Sequence, residues 1–174
     1  MNKNLLILGA GMFETVVKET AEEAGVFEQI SFLDDAFENE ELKSDCHEKS
    51  IGKLEDYKKF SAEYQYAFVS IGVPQVRKEW TKKLNEAGYF IPNIVSPRAH
   101  VSTSAHIGKG VIIAPLAVIN PHASVGNGSF VTAGAIVDHN SIVQDYCNIQ
   151  CGSVVMPRAV VTEFTKTQPN EVIR

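Results

Sequence analysis

In the run "IVDHNSIV", His139 could move a proton, with Asp138 and Asn140 as its polar neighbours. An imidazole exchanges protons near neutral pH, and a polar neighbour can fix which ring nitrogen is bare. The trio suits removal of a proton from an incoming nucleophile. A second set stands near the start of the chain. Gly9 and Gly11 follow the apolar run "NLLIL", and glycines at a strand-to-helix turn let backbone N–H groups approach an anion. Met12 and Phe13 continue that loop, Asp34 and Asp35 follow a second apolar run, and Gly72 follows a third. Acids at strand ends can accept from a ribose or a base edge. Each group also has a structural reading: a tight turn for the glycines, a solvated corner for the acids.

Composition narrows the chemistry. The 174-residue chain is 44% hydrophobic with a formal net charge of −5, which suits a soluble globular protein and gives no general attraction to nucleic acid or anionic lipid. The expected partner is a small molecule, with no nucleic acid and no membrane. The start "MNKNLLILGAGMFE" lacks the pattern of a secretory signal, so the chain reads as cytoplasmic. Cys46, Cys147 and Cys151 match no zinc-ligand spacing, and no metal is expected. They read as reduced thiols.

The elements that must hold these residues change character partway along. Over residues 1–92, short apolar runs alternate with helical patterns, the signature of a parallel α/β sheet. "NLLILG", "QISFLDD" and "YAFVSIG" read as strands. "MFETVVKETAEEAG", "KLEDYKKFSAE" and "PQVRKEWTKKLNEAG" read as helices, with Gly25, Pro74 and Gly88 as punctuation. This half is Rossmann-like.

From Val95 every sixth residue is aliphatic and β-branched: Val95, Val101, Ile107, Ile113, Ile119, Val125, Val131, Val137, Val143, Ile149, Val155 and Val161. Two residues before each, from Ala99 on, stands Ala, Ser or Cys, with Val111 the one larger member. A period of six fits neither a helix nor a continuous strand. It fits short strands joined by corners, three sides to an 18-residue coil, stacked into a parallel β-solenoid. Pro97, Pro115, Pro121 and Pro157 fall two places after the aliphatic, where a bend is wanted. The count predicts about four coils over residues 93–163, followed by a polar tail at 164–174. All of His100, His106, His122 and His139 fall outside the inward positions, so phase alone does not single out His139.

The hexapeptide register, the "LLILGAGMFETVVKE" opening, "FLDD", "FVSIG" and the run "VSPRAHVSTSAHIGKGVIIAPLAVINPHASVGNGSFVTAGAIVDHN" together resemble the hexapeptide-repeat sugar acyltransferases. The likeness is to the sialic acid O-acetyltransferase and bacillosamine or perosamine N-acetyltransferase kind. It implies a Rossmann-like nucleotide-sugar domain followed by a left-handed parallel β-helix, assembled as a homotrimer with acetyl-CoA between subunits. It further implies His139 as general base in a segment with Asp138 and Asn140, and Asn148 near the acetyl carbonyl. The sugar nucleotide falls to Gly9, Gly11, Met12, Phe13, Asp34, Asp35 and Gly72, and the cofactor to Gly152 and Arg158. The chain departs from the family pattern at four places. Met12 and Phe13 replace Gly-His, Asn140 replaces an acid, and Asn148 replaces a second histidine.

Two other readings stand beside an acetyl-CoA-dependent sugar acetyltransferase. A non-catalytic trimer that keeps the scaffold fits those four substitutions and a short solenoid. A dinucleotide-dependent oxidoreductase rests on Gly9-x-Gly11, although Glu14 occupies the third-glycine place of that fingerprint.

Overall fold

The computed structural model describes residues 3–9, 11, 13–36 and 50–174. The chain divides into two units between Pro92 and Asn93.

In the first unit, strands β1 (Asn4–Leu8), β2 (Gln29–Leu33) and β3 (Tyr66–Val69) form a parallel sheet in the order β2-β1-β3. The central strand carries Leu5, Leu6, Ile7 and Leu8, each fully buried, the continuous apolar run expected of a strand covered on both faces. Helix α1 (Glu14–Ala24) joins β1 to β2 and ends at Gly25 with φ 65°, where a left-handed residue is needed. Helix α2 (Pro74–Glu86) follows β3 and has proline in its first turn, where the missing N–H is of no consequence. Residues Leu54–Phe60 form a 3-10 helix, not the expected α-helix. The Asp56 N–H bonds back three residues to the Lys53 carbonyl, at 3.0 Å, and its carboxylate accepts the Lys53 N–H, also at 3.0 Å, which closes the tighter turn. No helix among the described residues is long and apolar enough to cross a membrane.

The second unit is the parallel β-helix that the period of six predicts. Its first side stacks Ile94–Val95, Ile112–Ile113, Phe130–Val131 and Asn148–Ile149. The second stacks His100–Val101, Val118–Ile119, Ile136–Val137, Val154–Val155 and Val172–Ile173. The third stacks His106–Ile107, Ser124–Val125, Ile142–Val143 and Val160–Val161. Partners lie 18 residues apart throughout, so each register aliphatic sits on its equivalent in the next coil. Ile113, Ile119, Val131, Val137, Ile149 and Val155 are fully buried, with Ala117, Ala123, Ala135 and Cys147 filling the space between them.

Three residues after each aliphatic from Ile107 to Thr167, the backbone is left-handed. That position holds Gly110, Gly128, Gly134 and Gly152, but also Leu116, His122, Asn140, Tyr146, Arg158, Phe164 and Asn170, all with φ between 56° and 68°. For residues other than Gly and Asn this costs roughly 1–2 kcal/mol each, and packing offsets part of it. Tyr146 and Phe164 stack at 6.1 Å along one corner, and a Cβ on Gly128 below them would overlap the Tyr146 ring.

Residues 164–174, expected as a tail, instead continue the solenoid into a fifth coil. The Asn148 N–H donates to Thr165 O at 2.8 Å, Thr167 N–H donates to Asn148 O at 3.0 Å, and Val172–Ile173 pair with Val154–Val155. Thr167 occupies the aliphatic slot at 2% exposure. It is isosteric with valine, but its hydroxyl breaks a purely apolar count.

Candidate active site

Two constellations carry chemistry, one in each unit. In the first unit the carboxyl ends of the strands converge, the position where open α/β sheets place ligands. Gly9 follows β1 with φ 97°, and its N–H donates to Leu33 O at 2.9 Å. A Cβ there would meet Ile71 Cγ1 at 3.0 Å and Ser70 Oγ at 3.1 Å, so this glycine is required by close packing as well as by its backbone. Gly11 and Gly72 are exposed with open space where a side chain would be. Phe13 is the N-cap of α1 and supplies no side-chain acceptor to it. Met12 lies outside the described residues. Asp34 Oδ1 accepts the Ala36 N–H at 2.8 Å, and Asp35 Oδ1 accepts the Leu54 N–H at 3.1 Å. One oxygen of Asp34 therefore shapes its own loop, and one of Asp35 ties that loop to the start of the 3-10 helix.

In the second unit, the corner between the second and third sides holds the proton-transfer trio. Asp138 Oδ1 accepts the backbone N–H of His139 at 2.7 Å and the side-chain amide of Asn120, one coil below, at 2.8 Å. The His139 N–H, then Asn120, hold the Asp138 carboxyl below the usual carboxylate range, and the nearby imidazole adds to this. Asp138 thus shapes the corner, and it is Asn140 that meets the ring, its amide lying 3.0 Å from His139 Nδ1. An amide can present either end. The atom facing Nδ1 is the amide Nδ2, so Nδ1 accepts and the ring proton sits on Nε2; turned over, the amide oxygen accepts from an Nδ1–H and leaves Nε2 of this exposed residue bare. Asn140 sits at φ 58°, a conformation asparagine tolerates better than most residues. Asn120 was not legible as a site residue, because its role depends on a contact between coils.

A group with a depressed folded pKa stabilises above its unfolded value and loses that contribution as pH falls through the folded one. Asp138→Asn should therefore lower the melting temperature at pH 7, and the gap to wild type should shrink as pH falls below the ordinary value of 3.8. Thermal melts of both proteins across that range check this; a gap independent of pH would remove the carboxylate from the corner's stability.

On the third side, beside this corner, lies a groove of about 460 Å³ lined by His106, Ser124, Ile142, Gln144, Asp145 and Glu163. Ile142 comes three residues after His139. Asn148 stands past the far end of the groove, on the first side and only 3% exposed. With the whole third side between them, a single chain does not bring Asn148 to His139. Arg158 is exposed on the same corner as Asn140, one coil above. Gly152 lies on a different corner, where its backbone is left-handed at φ 68° and a Cβ would meet the side-chain end of Asn170. Among the described residues no cluster of metal-ligating side chains occurs.

Residues 4–84 match the family described as the PglD N-terminal domain. The structure is similar to the acetyltransferase domain of PglB from Neisseria gonorrhoeae FA1090, solved in complex with acetyl coenzyme A, with TM-score 0.90 and 26% identity over 99% of this chain and 82% of that one. It is also similar to a mutant of perosamine N-acetyltransferase from Caulobacter crescentus in complex with CoA and GDP-perosamine (TM-score 0.86, 22% identity, 94% of this chain and 76% of that one). WeeI from Acinetobacter baumannii AYE shares the fold at TM-score 0.70 and 16% identity, over 94% of this chain and 93% of that one. The last two likenesses bear on fold alone. No curated protein sequence matches the chain.

Proposed function

We propose that this chain, an acyltransferase of the hexapeptide-repeat sugar acetyltransferase type, moves the acetyl group of acetyl-CoA to the amino group of a nucleotide-activated sugar, with His139 as general base. The observation that carries the reading is the exposed His139 ring with the Asn140 side chain at its Nδ1, three residues before Ile142 of the third-side groove. A thioester supplies an acyl carbon activated enough for direct attack, so the protein has to align the acceptor and take its proton. His139 Nε2 accepts that proton while Asn140 holds the ring. The groove's aliphatic floor and polar rim suit a long flexible thiol carrier, and Arg158 above Asn140 suits a phosphate. The nucleotide is assigned to the carboxyl ends of the strands, where Gly9, Gly11, Asp34, Asp35 and Gly72 stand, with Met12 and Phe13 next to Gly11 in sequence.

Asn140 favours an amine acceptor over a hydroxyl. A neutral amide orients imidazole but stabilises imidazolium less than a carboxylate does. An amine that has already shed one proton near neutral pH attacks through its free lone pair, and the base takes the second proton as the attack makes it acidic. A hydroxyl must lose its proton during the attack, which loads more charge on the base. Asn140→Asp should accordingly speed transfer roughly three- to tenfold, measured as thiol release from acetyl-CoA with amino-sugar nucleotides. No release across a panel of such nucleotides, together with no acetyl-CoA binding by calorimetry, would sink the enzyme reading.

The assembly fits a homotrimer. Ile142, Val160 and Met156 are large apolar side chains left exposed on or beside the third side, and Asn148 can donate to an acetyl carbonyl held at His139 only from a neighbouring copy. Acetyl-CoA as co-substrate suits a cytoplasmic setting.

A further inference from the structure

Arg77 heads the fully buried side chains of the described residues by volume, at 1% exposure. A guanidinium taken out of water carries a desolvation cost of several kcal/mol, so its position reports a specific demand. It lies in the first turns of α2, where its N–H bonds to Val73 O at 2.9 Å, and its Nη1 reaches back to the Ile71 carbonyl at 2.7 Å. Ile71 is the residue before Gly72, and the loop Ile71–Val73 is one wall of the crevice. Arg77 therefore ties that wall to the helix that follows it.

The opposite wall is tied by Ser70, itself 4% exposed. Its Oγ lies 2.6 Å from the Gly9 carbonyl and 3.1 Å from that of Leu8, and its N–H donates to Leu8 O at 2.9 Å. Ser70 and Ile71 are also the residues that close on the vacant Cβ position of Gly9. The loop after β1 and the loop after β3 are thus fixed to each other by a hydroxyl and braced from below by a guanidinium. Neither side chain is exposed enough to touch a ligand.

We infer that Ser70 and Arg77 are positioning residues for the nucleotide-sugar crevice, setting the separation between the Gly9 and Gly72 walls. The inference rests on the proposed nucleotide-sugar reading of that crevice. A residue acting this way shifts affinity for the nucleotide and leaves chemistry at His139 and acetyl-CoA binding alone.

The test uses Ser70→Ala, which removes one hydroxyl with almost no change in volume, and Arg77→Lys, which keeps the charge but not the planar fork. For each folded variant, KM for an amino-sugar nucleotide should rise about tenfold, the scale of one lost buried hydrogen bond, while kcat and KM for acetyl-CoA stay within about twofold. Binding of UDP and GDP alone, by calorimetry, should weaken by the same factor and needs no turnover. Weakened nucleotide binding without transfer in any protein would uphold the inference and sink the transfer reading. Unchanged nucleotide binding in folded Ser70→Ala would overturn the inference and leave the transfer reading intact. Equal losses for nucleotide and acetyl-CoA would also overturn it, since general loosening explains them. Failure of wild type to bind either nucleotide overturns both the inference and the nucleotide-sugar reading. If Arg77→Lys does not fold, Ser70→Ala carries the test alone.

Discussion

His139→Ala should cut acetyl transfer by about 10²–10⁴-fold, the range a positioned general base supplies, and leave acetyl-CoA affinity, oligomeric state and melting temperature close to wild type. The separation is expected because the imidazole does not hold the corner together. The His139 backbone N–H bonds to Asp138 Oδ1, Ser141 Oγ bonds to Asp138 O, and the Asn140 N–H bonds to Pro121 O at 3.1 Å. All of these survive loss of the ring. Asp138→Ala should behave oppositely, because the carboxylate that accepts from both His139 N–H and Asn120 disappears: some loss of rate, accompanied by loss of stability. Thiol release, calorimetry and sedimentation on the two variants separate a chemical role from a structural one. A His139→Ala protein that keeps more than about a tenth of wild-type kcat would move the base elsewhere, because a group that is gone cannot take the proton.

The sequence was most informative where one side chain does one job at a fixed interval. Twelve inward aliphatics at a period of six specified three sides, parallel stacking and the 18-residue pairing, because a coil has one repeating geometry and only β-branched side chains fill its slots. The left-handed corner position was hidden. Four corners carry the glycine that a left-handed backbone favours, whereas Leu116, Tyr146, Arg158 and Phe164 are not turn formers, and only for Tyr146 and Phe164 does a stack between coils offset part of the strain.

The same distinction divides the candidate site. His139, Asn140, Gly9 and Gly72 could be picked out because their chemistry and their place at element ends are local facts. Ser70, Arg77 and Asn120 act through backbone carbonyls or a neighbouring coil, and in sequence they look like an ordinary strand end, a helix surface charge and a loop amide. Asp138 was legible as a member of the trio but not in its role. Next to a histidine it suggested a ring partner, and its carboxylate faces the backbone and Asn120 instead.

Removing residues 164–174 should lower the stability of the β-helix unit by about 3 kcal/mol, which for a unit of this size corresponds to roughly 12–24 °C in Tm. A tail would cost almost nothing to remove, so the experiment separates a fifth coil from an appendage. The loss has named sources. Phe164 would no longer stack on Tyr146, a pair of the kind that contributes about 0.5–1.5 kcal/mol. The strand pairing of Val172–Ile173 with Val154–Val155 would go, together with the bonds that Thr165 and Thr167 make to Asn148. Cys147 and Ile149, both fully buried, would face an open end. Thr167→Val sharpens the point, because by the hexapeptide count it should improve the register. The hydroxyl, however, accepts the Gln150 N–H at 2.8 Å and lies 3.2 Å from Ser153 Oγ. Valine would leave those buried groups short of a partner, at about 1–3 kcal/mol. Thr167→Val should thus melt below wild type and Thr167→Ser much closer to it. A Thr167→Val protein as stable as wild type would mean that the slot is simply aliphatic and that threonine there is tolerated, not required.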